Sequence, residues 1–202
     1  MPEVEGAIEP IYIAGCKEDP DGVKLYEVYK KHAEYISKRL KRWINLRKKP
    51  KNKRKIAIIL INPPCKGLEA NIAVGMGLDV LESIVRLLKK LKAEGYYVGE
   101  SSPETGEELA KLILSKKAIS EFRWTSVKDI VNSKGAIEFV GLEDYLKNFS
   151  KLPKSLREKI VKDWGNPKDV LEGRVDKELV GMVYNKTFVI PGLTFGNIAI
   201  IP

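Results

Sequence analysis

The sequence predicts an α/β fold: an open, mostly parallel sheet with flanking helices, Rossmann-like or flavodoxin-like and three layers deep, preceded by a long basic helix. Three observations lead there. Residues 56–61, IAIILI, form an unbroken apolar run of the kind found in parallel strands covered on both faces. An amphipathic helix and a second extended run, 96–98, follow it, in the β–loop–α–β order of a right-handed crossover. The final stretch, TFVIPGLTFGNIAIIP, supplies two more strands joined through Pro191-Gly192 and Gly196-Asn197.

Composition sets the outer bounds. A chain of 202 residues with 44% hydrophobic content is long and apolar enough to bury one sizeable core or two small ones, and 1–202 reads as a single α/β domain or a fragment of a larger subunit. No apolar run approaches the roughly 18 residues of a membrane span. The start, MPEVEGAIEP, lacks the basic and apolar regions of a signal peptide, so a cytoplasmic location is expected. Cys16 and Cys65 stand far apart in no metal-ligand spacing and read as reduced structural thiols, with Cys65 open to ligand contact. No metal site is expected, because a lone histidine, His32, does not make one.

The net charge of +9 is concentrated. Residues 38–55, KRLKRWINLRKKPKNKRK, hold eleven Lys/Arg and no acid; without them 25 bases face 27 acids. A basic helix end suits the helix dipole, and 48–55 reads as a basic linker into the first long strand. The alternative is a patch for an anionic partner.

Taken in order, a short strand is expected at 11–14 and a long helix at about 23–47. Leu25, Tyr29, Ile36, Leu40 and Trp43 recur there at helical spacing. His32 falls within that stripe, either as a half-buried structural residue or as a ligand or acid–base group. The strand 56–61 ends at Pro63-Pro64, neither of which donates to a ladder. Asp79-x-x-Glu82 has the shape of a capping box, opening a helix with Leu81, Ile84, Val85, Leu88 and Leu91 on one face and Gly95 as its stop. Thr105-x-x-Glu108 opens another. GAIEFV at 135–140 reads as a strand, followed by helices at about 142–149 and 154–164, the latter stopped by Gly165.

The connection from Asn62 to Leu78 is far longer than the usual βα turn, which marks a binding loop. It has no Gly-Lys-Ser/Thr and so is not a phosphate loop of the Walker type; Gly75-x-Gly77 is followed by Val80 where a dinucleotide fingerprint needs glycine. Its position carries the argument. In an open α/β sheet ligands bind beyond the carboxyl ends of the strands, and this loop leaves from such an end. Asn62, Asn71, Asp79 and the loop amides are available to a ligand bearing carboxylates or amides. A purely structural loop packed by Ile72 and Val74 is the competing reading.

KIAIILINPPCKGLEANIAVGMGLDVLESIVRLLKKLKAEGYYV resembles a segment of the large subunit shared by cobaltochelatase of the CobN type and magnesium chelatase of the H type. The matching positions are Asn62-Pro63-Pro64, Asn71-Ile72, Leu78-Asp79 with Ser83, and Leu91-Lys92 with Gly95-Tyr96. GAIEP at 6–10, Tyr145 to Pro153 with WGNP at 164–167, and FVIPGLTFGN at 188–197 are similar to further stretches of that family, in the same order. At Asn71-Ile72-Ala73 the chain departs from a family that more often has glycine.

The resemblance implies ATP-dependent insertion of a divalent metal such as cobalt into a tetrapyrrole, a corrin precursor or a porphyrin, with cobalamin biosynthesis as the preferred setting. It implies substrate contacts from Asn62, Pro63, Pro64, Asn71, Asp79, Gly196 and Asn197. It implies as partners the remaining large-subunit segment, AAA-type ATPase subunits that use ATP with Mg, and accessory chelatase subunits. No cofactor is expected on this chain itself. The family's metal-insertion histidine and acid lie downstream of this segment, so catalytic residues are unassigned. The chain is expected to be an excised or naturally split fragment, inactive alone. The second hypothesis is a non-enzymatic basic module binding RNA or an acidic protein through 38–55. Trp43 is the one aromatic in that run, which does not match a base-stacking platform.

Overall fold

The computed structural model describes residues 10–61, 72, 73, 75, 77–119, 126–174 and 182–202. The backbone divides into two compact units, Met1–Pro50 and Lys51–Pro202. The boundary falls inside the basic segment 48–55.

In the first unit, β1 (Ala14–Glu18) and β2 (Lys24–Val28) pair antiparallel, and α1 (Lys30–Lys48) follows. Asp19 closes the hairpin: its Oδ1 accepts the N–H groups of Asp21 at 3.0 Å and Val23 at 2.8 Å, and Gly22 takes a φ of 80°. The strand expected at 11–14 therefore lies at 14–18, and the helix expected from 23 starts at 30. Asp19-Pro20-Asp21-Gly22 is turn chemistry, and the KLYEV that follows pairs back on β1, so Leu25 belongs to a strand. His32 is exposed rather than half-buried; its Nδ1 donates to the Tyr12 carbonyl at 2.7 Å and its ring stacks on Tyr29.

In the second unit, β3 (Ile56–Ile59) pairs parallel with β8 (Ile198–Ile201), and β8 pairs antiparallel with β7 (Leu193–Phe195), in the order β3-β8-β7. β4 (Ala136–Gly141), β6 (Thr187–Pro191) and β5 (Val183–Tyr184) form an antiparallel sheet in the order β4-β6-β5. The α/β class holds. The sheet expected to be mostly parallel is instead mixed, with β3–β8 the one parallel pairing among the described strands. Tyr96–Val98, expected as the returning strand, is irregular. Both edges of β8 are taken by β3 and β7, so this stretch makes a single ladder-like bond, from Asn197 N–H to Tyr97 O at 2.9 Å.

Helices α2 (Val80–Ala93) and α3 (Gly106–Ser115) pack with the core face of β3–β8–β7. Ile56 and Ile58 from β3, Ile198 and Ile200 from β8, and Leu193 and Phe195 from β7 alternate onto that face. Val85, Leu88, Leu109 and Ile113 from the two helices are fully buried there. The opposite face is open: Ile59 is 72% and Ile61 77% exposed. Both helices that follow β3 lie on the one face of this sheet. The remaining helices are α4 (Val127–Asn132), α5 (Leu142–Phe149), α6 (Lys154–Trp164) and α7 (Pro167–Leu171). Helix α7 was not foreseen; Asn166 caps it, with Pro167 at its first position.

Candidate functional site

The parallel pairing places the carboxyl ends of β3 and β8 side by side, and Leu60 N–H donates to Ile201 O at 2.8 Å just beyond them. The chain leaves β3 past Ile61 and is next described at Ile72. Asn62, Pro63, Pro64 and Asn71, and Cys65 with them, lie outside the described residues. The return path is seen. Ile72 is buried in the core, Ala73 takes a φ of 69°, and Gly75 pairs with Leu78 in an isolated bridge closed by Leu78 N–H to Gly75 O at 3.0 Å. Gly77, at φ 70°, makes the turn between them possible.

Helix α2 runs back along β3. Its far end is tied to the residues preceding that strand: Lys51 Nζ meets Glu94 Oε2 at 2.9 Å, and Arg54 Nη1 donates to the Tyr96 hydroxyl at 3.2 Å. The start of α2, with Asp79, is thereby directed toward the carboxyl end of the sheet. Asp79 is the cap that the sequence predicts; its Oδ1 accepts Glu82 N–H at 3.0 Å, and its carbonyl accepts Ser83 Oγ–H at 2.6 Å. The reciprocal half of the box is not made. Glu82 turns away, accepting Gly106 N–H at 2.9 Å on Oε2 and Arg86 Nε–H at 3.2 Å on Oε1. These bonds, the Gly106 amide first and Arg86 second, hold the Glu82 carboxyl below the usual carboxylate range. Thr105 caps α3 through Glu108 N–H at 3.2 Å, while Glu108 Oε2 reaches past the cap to Glu104 N–H at 2.7 Å. The amino ends of two helices, each a concentration of N–H donors and positive partial charge, are joined by one carboxylate.

Gly196 and Asn197 stand elsewhere. They form the β7–β8 turn, at the amino end of β8 and the opposite end of the ladder from the exit at Ile61. Asn197 is engaged by the fold: its N–H bonds Tyr97 O, its carbonyl accepts Ile56 N–H at 3.0 Å, and its side-chain amide donates to Asn52 O at 2.8 Å. A Cβ on Gly196 would lie 2.5 Å from Gly99 N, so glycine is needed for the close crossing of two backbones. The structure therefore keeps Asp79 with the loop and separates Gly196 and Asn197 from it. The Glu82–Gly106 bond was not legible, since it links residues whose contact depends on how α2 and α3 pack. A groove of about 540 Å³ between α3 and β7, lined by Ser101, Ser102, Lys111, Thr194 and Phe195 among others, was missed for the same reason.

Part of the basic run is engaged within the fold, through Lys51 and Arg54. Among the described residues no group of three His, Cys, Asp or Glu is placed to hold a metal ion, and no helix is long and apolar enough to cross a membrane.

The family model for CobN/Magnesium Chelatase matches residues 1–202. The uncharacterized protein MJ1441 of Methanocaldococcus jannaschii is 43% identical over 201 residues, covering 98% of this chain and 16% of that protein. The chloroplastic magnesium-chelatase subunit ChlH of Oryza sativa subsp. japonica is 31% identical over 198 residues, covering 97% and 13%. The catalytic subunit of cobaltochelatase from Mycobacterium tuberculosis shares the fold, with a TM-score of 0.68 at 22% identity, over 99% of this chain and 15% of that one. The chain thus spans about an eighth to a sixth of the length of these relatives. It belongs to the CobN/magnesium chelatase family.

Proposed function

We propose that this chain is a tetrapyrrole-binding segment of the large subunit of an ATP-dependent metal chelatase, serving cobalt insertion in cobalamin biosynthesis in the cytoplasm. The observation that carries the reading is the arrangement at the carboxyl end of β3 and β8. In a chain of this family, a long connection leaves that end and returns into the capped amino terminus of α2. A tetrapyrrole precursor carries several carboxylate or amide arms. The amides of Asn62 and Asn71 and the free N–H groups at the start of α2 are donors suited to such arms. Asp79 caps the helix end into which the loop returns.

ATP with Mg belongs, in this reading, to separate AAA-type subunits, and the residues that insert the metal belong to the remaining large-subunit sequence. The chain alone then neither hydrolyses ATP nor inserts cobalt. The test is an absorption titration of a corrin and of a porphyrin with the 202-residue chain. A saturable shift of the macrocycle band, reached at lower concentration with the corrin, is expected. The reading fails if neither band moves. It also fails if the chain instead forms a tight RNA complex that is lost on reversing three charges within 38–55.

A further inference from the structure

The open face of the β3–β8–β7 sheet is built like an interior. All-parallel sheets occur almost only where both faces are covered; this sheet is mixed, but β3 and β8, its parallel pair, carry the same pattern, with apolar residues on both sides. Ile56, Ile58 and Leu60 go to the core formed with α2 and α3, while Ala57, Ile59 and Ile61 go to the other face. Ala199 and Ile201 of β8 continue that second face. The three positions of β3 and the two of β8 on this face are aliphatic and none is charged, with Thr194 of β7 beside Ala199 as its polar margin, whereas the surface of a solvated sheet alternates polar residues outward. Ile59 and Ile61 are among the most exposed large apolar residues of this unit, at 72% and 77%. Among the described strands the outer edge of β3 has no partner, since β3 ends the order β3-β8-β7.

We propose that this face is the docking surface for an amphipathic helix supplied by large-subunit sequence outside these 202 residues. Two things select that occupant. A face without charge calls for an apolar stripe, which excludes nucleic acid and a merely acidic surface. The relatives carry about six times this length of sequence, with the matched segment amounting to 16% of the archaeal protein, so a helical layer for the second face is available there. A second copy of this chain, its bare sheet stacked on the first, is the rival occupant. It is disfavoured because parallel strands are covered by helices rather than by one another.

The test uses Ile59→Cys in a background of Cys16→Ser and Cys65→Ser, labelled with a maleimide. It is read in the 202-residue chain and in a full-length archaeal relative whose matched segment has been replaced by these residues. Labelling should be fast in the chain alone and slower by about tenfold or more in the full-length protein. In parallel, Ile59→Lys with Ile61→Lys should leave the Tm of the chain alone nearly unchanged and lower that of the full-length protein. If the replacement does not fold, the same labelling is read on the 202-residue chain expressed together with the rest of the relative. Equal labelling rates in both settings overturn the proposal. So does protection already present in the chain alone, or a dimer of the chain alone that the double lysine variant dissociates.

Discussion

The carboxylate of Glu82 accepts the backbone N–H of Gly106 at 2.9 Å and so fastens the first turn of α2 to the first turn of α3. The sequence places Glu82 in a capping box with Asp79, three residues away. The fold uses it on a partner 24 residues away, because Asp79 alone satisfies the helix-end amide and leaves Glu82 free.

This bond makes acid stability depend on Glu82. Its pKa is lowered in the folded chain, by the Gly106 amide first and Arg86 next. Its contribution is therefore complete above the unfolded value of about 4.3 and is lost as pH falls through the lower folded value. Thermal melts between about pH 2 and 6 should show a shallower acid decline for Glu82→Gln than for the parent. Identical acid profiles would show that the bond does not contribute.

Gly106 should tolerate no side chain. A Cβ there would stand 2.7 Å from Glu82 N and 3.1 Å from Glu82 Cα, backbone atoms that move only with the whole helix. Gly106→Ala should cost about 1–3 kcal/mol by forcing α2 and α3 apart. Denaturant unfolding measures it, and a neutral or stabilising effect would refute the close approach.

Asp79→Ala should cost about 0.5–2 kcal/mol through loss of the cap on Glu82 N–H, and Asp79→Asn should recover most of it. Failure of the asparagine to rescue would mean that the charge, and not the hydrogen bond, is what the position requires.

Ala73 sits at φ 69°, a left-handed conformation that costs a non-glycine residue about 1–2 kcal/mol. Ala73→Gly should hold or raise the Tm despite the added freedom of the unfolded chain. A clear loss of stability would show that the methyl group packs usefully.

What was legible follows locality. The cap at Asp79, the stop at Gly95, the strand at 136–141 and α5 and α6 are each written in a few adjacent residues, and they stand where expected. The parallel partner of β3 was not legible, since IAII at 198–201 and the extended 96–98 are both suitable and only tertiary packing decides between them. The hairpin at 14–28 was hidden because Leu25, Tyr29 and Ile36 also fit a helical stripe, and only the turn chemistry of Asp19-Pro20-Asp21-Gly22 marks the reversal. Asp79 stands where its capping chemistry predicts, as the N-cap of α2. Gly196 and Asn197 came from motif order alone, which says nothing of the end of a strand on which a motif falls.

The central claim, that the macrocycle is met at the carboxyl end of β3, is tested most directly by comparing two variants of the 202-residue chain in the same absorption titration. One carries Asn62→Ala with Asn71→Ala; the other carries Asn197→Ala. The account predicts that the first keeps its Tm nearly unchanged and binds the corrin about tenfold more weakly, a loss of about 1.4 kcal/mol. It predicts that Asn197→Ala lowers the Tm while the folded fraction binds as the parent does. Undiminished binding by the double variant, or loss of binding confined to a fully folded Asn197→Ala chain, would contradict it.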